Sequence, residues 1–423
     1  MLNRKVGPAI TTNFRLQIQD VETTLLPNGL ELYELNTGSQ EIIKIELVFR
    51  KGRIHEKRPA VAKAAVKLMR EASLSRNAEE TARFFDFHGA VIKSECYMEY
   101  ASLSLICLTK HFKDLWPAFL ECLQQPSYET EDLEKYVDMG SKKLREQLAK
   151  NDVVAYRLFT EQIFGKNHPY GYNTELEDIL ALTVDDLRQY FADALETADR
   201  FAVMSGYYSA GLAELVKKDL SRLPLRKDVE ELTFPPLPAE VKYLRQETDN
   251  KHQASIKLGR VWVPRHNNDF IPLRFLNTVL GGYFGSRLMK NIREEKAYTY
   301  GIYSAFDAWL REGYFYVSSD VGADYVEPTI KEIMKEIRQL KEKAVEEAEI
   351  RMVKNYLLGQ SLNLIDGPFA TAHLVKSIRA KNLPLNSFEL AIEEIKRLNS
   401  QQLLELANRY FDTDHFTTVI VGG

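Results

Sequence analysis

Leu182 to Gly206 reads LTVDDLRQYFADALETADRFAVMSG, and Leu398 to Gly423 reads LNSQQLLELANRYFDTDHFTTVIVGG. Leu398 matches Leu182, Leu403 matches Leu187 and Gly422 matches Gly206, each pair 216 residues apart. In both stretches a helical pattern runs without gaps into a β-prone segment that ends on glycine. Two copies do not make a solenoid, so the repeat predicts duplication of a whole domain.

The length of 423 residues agrees, because one core rarely serves so long a chain and two of roughly 200 residues are expected. Phe234-Pro-Pro-Leu-Pro238 cannot continue a helix or a central strand and reads as a linker. The expected division is an N-terminal domain 1–232, a linker 233–240 with the boundary near residue 235, and a C-terminal domain 241–423. Asn28-Gly29 between two β-prone runs, Val21 to Leu35, is a hairpin signal. Ile43, Ile45, Leu47 and Phe49 alternate with polar residues as in a strand, and His252 to Val263 begins the second half in the same way. Paired strands follow at Cys96 to Thr109 and at Tyr298 to Ser319. Ile330, Ile333, Ile337 and Leu340, with Met334 beside them, share one face of a long helix. The prediction is an α+β fold used twice, each copy a mostly antiparallel sheet with helices packed on one side.

Composition narrows the function classes. The chain is 45% hydrophobic and 27% charged, and its 56 basic and 60 acidic residues are mixed along the sequence. No footprint for nucleic acid or an anionic membrane is visible. Cys96, Cys107 and Cys122 show neither CxxC spacing nor an even-numbered framework and read as reduced structural thiols. No apolar run approaches the ~18 to 20 residues of a membrane span, and MLNRKVGPAITTNF lacks a signal-peptide core, which predicts a cytoplasmic protein.

Several stretches resemble the pitrilysin or insulinase-type zinc peptidases, in the form built from two short subunits as in mitochondrial processing peptidase. They are LLPNGLELYEL, FRKGRIHE, HPYGYNTELEDILALTVDDLRQYF, KNYLLGQSL and the closing FTTVIVGG, and the likeness spans nearly the whole chain. Catalytic members carry His-x-x-Glu-His on the first helix after the exit loop FRKGRIHE. Residues four apart share a helix face, so two imidazoles can hold Zn²⁺ while the Glu activates its water. Here that helix reads Pro59-Ala-Val-Ala-Lys-Ala-Ala-Val-Lys67, which puts Lys63, Val66 and Lys67 at the three motif positions. An ammonium has no lone pair for a metal, and valine takes no proton. None of the eight histidines lies in His-x-x-Glu-His or its reverse, and His55, His88, His111 and His168 are scattered as surface or loop residues. Glu146 lies about where the family keeps its third ligand, but alone it cannot hold zinc. No metal is expected in this chain.

What the resemblance retains is in Leu280 to Tyr303, LGGYFGSRLMKNIREEKAYTYGIY. Active assemblies of the family use an Arg and a Tyr seven positions apart, on the domain opposite the zinc, and Arg293 and Tyr300 match in identity and spacing. Those groups would donate to the oxyanion of a tetrahedral intermediate, at about 3 to 4 kcal/mol per donor. Spacing alone is weak, since about one Arg in twenty would have Tyr at +7 by chance at this tyrosine content. The surroundings strengthen it, with Arg293 closing a helix and Tyr300 opening an aromatic strand through Tyr303, while the competing structural reading pairs Arg293 with Glu294 or Glu295 and packs Tyr300 in the sheet. Gly281 and Gly282 suggest substrate backbone approach, against a plain helix-breaking role.

The resemblance therefore implies a non-catalytic subunit of a heterodimeric zinc endopeptidase, inactive alone. A homologous partner would carry the Zn²⁺, and the substrate would be an unfolded peptide held extended along a strand edge. The alternative is a catalytically inert peptide-binding or scaffold protein on the same fold. Whether the chain pairs with itself when alone is left open by the sequence.

Overall fold

The computed structural model describes residues 16–18, 20–196, 199–224, 232–238 and 242–423. Residues 239–240 of the expected linker and the start of the chain, 1–15, lie outside them; 232–238 run without helix or strand.

Eleven strands form two sheets among the described residues. The first contains β1 (Glu22–Leu25), β2 (Glu31–Asn36), β3 (Ile42–Phe49), β4 (Val91–Cys96), β5 (Ala101–Leu108) and β6 (Arg200–Gly206), in the order β1-β2-β6-β3-β5-β4. The second contains β7 (Tyr243–Gln246), β8 (Gln253–Trp262), β9 (Ile302–Ala308), β10 (Gly313–Gly322) and β11 (Thr417–Gly422), in the order β7-β11-β8-β10-β9. Without the extra hairpin strand β1, the two orders are the same. In each sheet the first of these strands pairs in parallel with the last, β2 with β6 and β7 with β11, and all other pairs are antiparallel.

The repeat that opens the sequence occupies matching places. Thr183 and Asn399 cap the helices Val184–Tyr190 and Ser400–Tyr410, each in a reciprocal capping box, and β6 and β11 follow. Gly206 lies opposite Ile43, and Gly422 lies opposite Ala254. Both glycines have positive φ, 118° and 89°, and both lack room for a side chain: a Cβ would stand 2.1 Å from the Ile42 carbonyl oxygen at Gly206 and 2.3 Å from Asn151 Nδ2 at Gly422. Glycine is thus required twice by the same backbone turn.

Alternation along the strands divides each sheet into two apolar faces. In the first, Leu32, Ile45, Leu47 and Met204 face helices of their own half, Val61–Leu68 and Phe112–Gln124 among them. The opposite face, with Tyr33, Leu35, Phe201 and Val203, is covered by Ala372, Val375 and Ala380 of the helix Gly367–Ala380, which belongs to the second half. The second sheet mirrors this. Phe315 and Val317 face its own helices, including Val326–Glu342, where Ile333, Ile337 and Leu340 are buried. Tyr314, Tyr316, Val419 and Val421 face Ala155, Phe159 and Ile163 of the helix Asn151–Phe164 from the first half. Asn151 and Gly367 are again 216 residues apart. The halves exchange one helix each, so neither sheet completes its second face from its own half.

The exchange is fixed by buried polar contacts as well as packing. Lys376, 1% exposed, reaches from the exchanged helix to Glu46 on β3 at 2.8 Å and Glu95 on β4 at 3.4 Å, while Lys44 holds the other Glu46 oxygen at 2.7 Å. Glu99 accepts from the Tyr170 hydroxyl at 2.5 Å and from the Leu310 backbone N–H at 2.7 Å, joining the halves again. His168 lies in the loop after the helix Asn151–Phe164, as expected, but is not on the surface: it is 2% exposed, stacked on Phe164 and in edge contact with Phe234, with its Nδ1 accepting from the Tyr170 backbone N–H. Cys96, Cys107 and Cys122 are free thiols. Among the described residues no helix is long and apolar enough to cross a membrane.

Two outcomes follow. Lys376→Ala leaves Glu46 with Lys44 alone and should cost about 3 kcal/mol of stability, the low end for breaking a buried pair; chemical denaturation measures it. Burial holds the His168 and His373 imidazoles below their ordinary range. Their contribution is complete above the unfolded value of about 6.5 and is lost as pH falls below it. Thermal stability should therefore fall as pH drops below about 6.5, and His168→Asn, which keeps an acceptor for Tyr170, should flatten part of that slope.

Candidate functional site

The helix Val61–Leu68 is set by the exit loop before it. Glu56 accepts the Ala62 backbone N–H at 2.7 Å and the Tyr172 hydroxyl, which neutralises one of the unpaired donors of the first turn. Burial pushes the Glu56 carboxyl up, with Tyr172 and Ala62 opposing. Val66 is buried at 1% exposure against the first core, whereas Lys63 and Lys67 project outward. Both line a cavity of about 1150 Å³ together with Glu146, Lys143, Arg53 and Glu71. The fold therefore brings together three of the four positions at which the resemblance would place zinc-site groups. Their chemistry does not fit zinc: Lys67 is paired with Glu71 at 3.3 Å, and Val66 offers no base. Loss of water around Lys63, and then the charge of Arg53, hold its ammonium below the usual lysine range. No hydrolytic step can be assigned to this cavity.

Arg293 lies on the helical stretch Met289–Glu295, a wide π-type turn. Leu288 and Ile292 anchor it in the second core with no exposure. At its start Arg287 makes a two-pronged pair with Glu349, at 3.0 and 2.7 Å, and in its middle Asn291 Nδ2 donates to Glu336 at 2.6 Å and Glu332 at 2.9 Å. Arg293 itself makes no ion pair among the described residues. Its guanidinium rests on the Phe284 ring, 4.5 Å from the centroid, so the proposed pairing with Glu294 or Glu295 is absent.

The chain then reverses through Ala297, a non-glycine residue at φ 55°, with the Tyr298 N–H bonded to the Ile292 carbonyl at 3.0 Å. Tyr298 stacks on Tyr325 with centroids 4.9 Å apart. Thr299 Oγ1 donates to the Asp320 carbonyl at 2.6 Å and accepts from Gly301 N–H and Ser319 Oγ, both at 3.1 Å. Between these tethers and β9, Tyr300 is 99% exposed. It does not open the strand as the sequence suggested, since β9 begins at Ile302. Tyr300 sits on an anchored tip whose neighbours are all engaged.

Gly281 and Gly282 have a steric reason for being glycine. A Cβ on Gly281 would stand 2.6 Å from Ser304 N and Oγ, and one on Gly282 2.7 Å from Thr278 Cα. The Gly281 carbonyl accepts from Ser304 N–H at 3.1 Å, which ties this loop to β9 and presents Phe284 under Arg293. Phe284 and Thr299 are the residues that sequence reading missed. The aromatic pair in GGYFG was the available signal for the first.

Known proteins resemble this chain over most of its length. The family model described as peptidase M16 inactive domain matches residues 181–357. The chain is 23% identical over 353 residues to "Uncharacterized zinc protease YmxG" of Bacillus subtilis, covering 82% of this chain and 84% of that one. It is 24% identical over 389 residues to "Non-peptidase homolog YmxG" of Helicobacter pylori, covering 89% and 88%. Among solved structures, a peptidase M16 inactive domain from Pseudomonas fluorescens superimposes with a TM-score of 0.84 at 21% identity over 96% of this chain and 98% of that one.

The left-handed turn at Ala297 yields a stability test. Ala297→Gly should stabilise the protein by about 1 kcal/mol, because only glycine meets no Cβ penalty there. A rise in melting temperature checks it; a fall would show that the turn is not strained.

Proposed function

We propose that this chain, a homologue of the M16 peptidases without their zinc-binding motif, is the non-catalytic subunit of a heterodimeric zinc endopeptidase. A homologous partner would supply the metal and the attacking water. This chain would close over an extended peptide and offer the Arg293 guanidinium and Tyr300 hydroxyl to the oxyanion that forms there. Its two units, 1–232 and 241–423, would act as one wall of the chamber, in the cytoplasm.

The observation that carries the reading is Tyr300, a phenol 99% exposed on a tip held by stacking at Tyr298 and hydrogen bonds at Thr299. A donor held in place before its acceptor arrives is what oxyanion stabilisation requires. Arg293, seated on Phe284 rather than neutralised by a carboxylate, keeps its charge for an outside group. Each sheet also ends on an edge strand, β4 and β9, and β9 begins two residues after Tyr300, so an extended peptide has backbone groups to pair with.

Co-purified with its partner, Arg293→Ala or Tyr300→Phe should lower cleavage of an unfolded peptide by about 10²- to 10³-fold per donor, with complex formation intact by size-exclusion chromatography. Phe284→Leu should give a smaller loss, since it removes only the guanidinium's support. Unchanged activity in both donor variants would contradict the reading and favour the inert peptide-binding alternative.

A further inference from the structure

The sequence scatters its histidines, but the fold brings two of them together far along the chain from Lys63, Val66 and Lys67. His88 terminates the helix Ala78–Phe87, and His111 precedes the helix Phe112–Gln124, whose first turn holds Asp114. The imidazole rings of His88 and His111 meet edge to face with centroids 5.2 Å apart. One donor atom each from His88, His111 and Asp114 lies within 4.8 Å of the others.

We infer that His88, His111 and Asp114 form a site for a divalent transition metal of the zinc class, with one coordination position left open. Three observations support it independently of the peptidase reading. The set of two imidazoles and one carboxylate is a recurrent three-ligand set for zinc with an open fourth position. His88 Nδ1 lies 2.9 Å from the Phe84 carbonyl oxygen, the backbone contact that fixes the tautomer and leaves Nε2 with the free lone pair. The side chains of His111 and Asp114, by contrast, make no hydrogen bond or ion pair among the described residues, although they converge with His88. Donors on a zinc ion at about 2.0 to 2.1 Å stand roughly 3.3 Å apart. Closure of at most about 1.5 Å brings the three donors to that spacing.

Such an ion would tie the end of one helix to the start of another, on a part of the first half that the proposed catalytic role does not use. It also changes how metal in the purified chain is to be understood. Zinc found there would sit at this cluster, not at the degenerate peptidase motif.

The test is titration of the metal-free chain with Zn²⁺ against a chromophoric chelator, for the wild type and for H88A, H111A, D114N and the control K67A. One zinc per chain is expected for the wild type and K67A. Each histidine variant should weaken binding by about tenfold or more. Thermal unfolding with and without Zn²⁺ guards against misfolding: H88A and H111A should each unfold cooperatively without metal, and zinc should raise the melting temperature of the wild type by more than that of either variant. Absence of stoichiometric zinc, or binding that both histidine substitutions leave unchanged, would overturn the assignment. Neither result bears on Arg293 or Tyr300, so this inference and the proposed function stand or fall separately.

Discussion

The exchange of two helices between the halves is the constraint on which the rest of the molecule depends. A sheet with alternating apolar residues on both faces must be covered twice, and each half covers only one face of its own sheet. Asn151–Phe164 closes the second sheet and Gly367–Ala380 closes the first. The two cores are therefore coupled, and the chain should behave as one cooperative body rather than two beads on a linker. The buried Lys376 and Glu46 pair lies within this contact. Its value lies as much in register as in energy, because a lysine buried this deeply tolerates only the position where its carboxylates wait.

On the proposed function, that coupling would let a duplicated scaffold divide labour. In the first half Lys63 and Lys67 line a cavity with Glu146 while Val66 is buried beside them, and on the proposed reading these are the positions where a metallopeptidase needs ligands and a base. The second half keeps a rigid presentation of Arg293 and Tyr300, in which nearly every neighbouring group is engaged and those two are not paired with an acid. The proposed role, a subunit that contributes donors to a reaction it does not initiate, rests on that contrast between the two halves.

Much of the fold was legible because its signals are local. The Asn28-Gly29 hairpin, the alternation in β3 and the helix-to-strand pattern within each copy of the repeat depend on residues close in sequence, and the strands stand where those patterns put them. The helix exchange was not legible, since a helix that is apolar around much of its surface, as in VVAYRLFTEQIF, announces burial but not the sheet it is buried against. The burial of the loop residue His168 is hidden for the same reason: its partners Phe164 and Tyr170 are near in sequence, but Phe234 is not. Arg293 and Tyr300 could be found only through their family-like spacing. That Phe284 supports one and Thr299 anchors the turn before the other depends on a left-handed turn at Ala297, where composition gives no glycine to mark it.

The most direct measurement is reconstitution. A homologous chain with an intact His-x-x-Glu-His motif, this chain, and an equimolar mixture are each assayed on the same unfolded peptide. The account predicts that neither chain cleaves alone and that the mixture does. Full activity from the zinc-binding chain by itself, unaltered by adding this one, would contradict it.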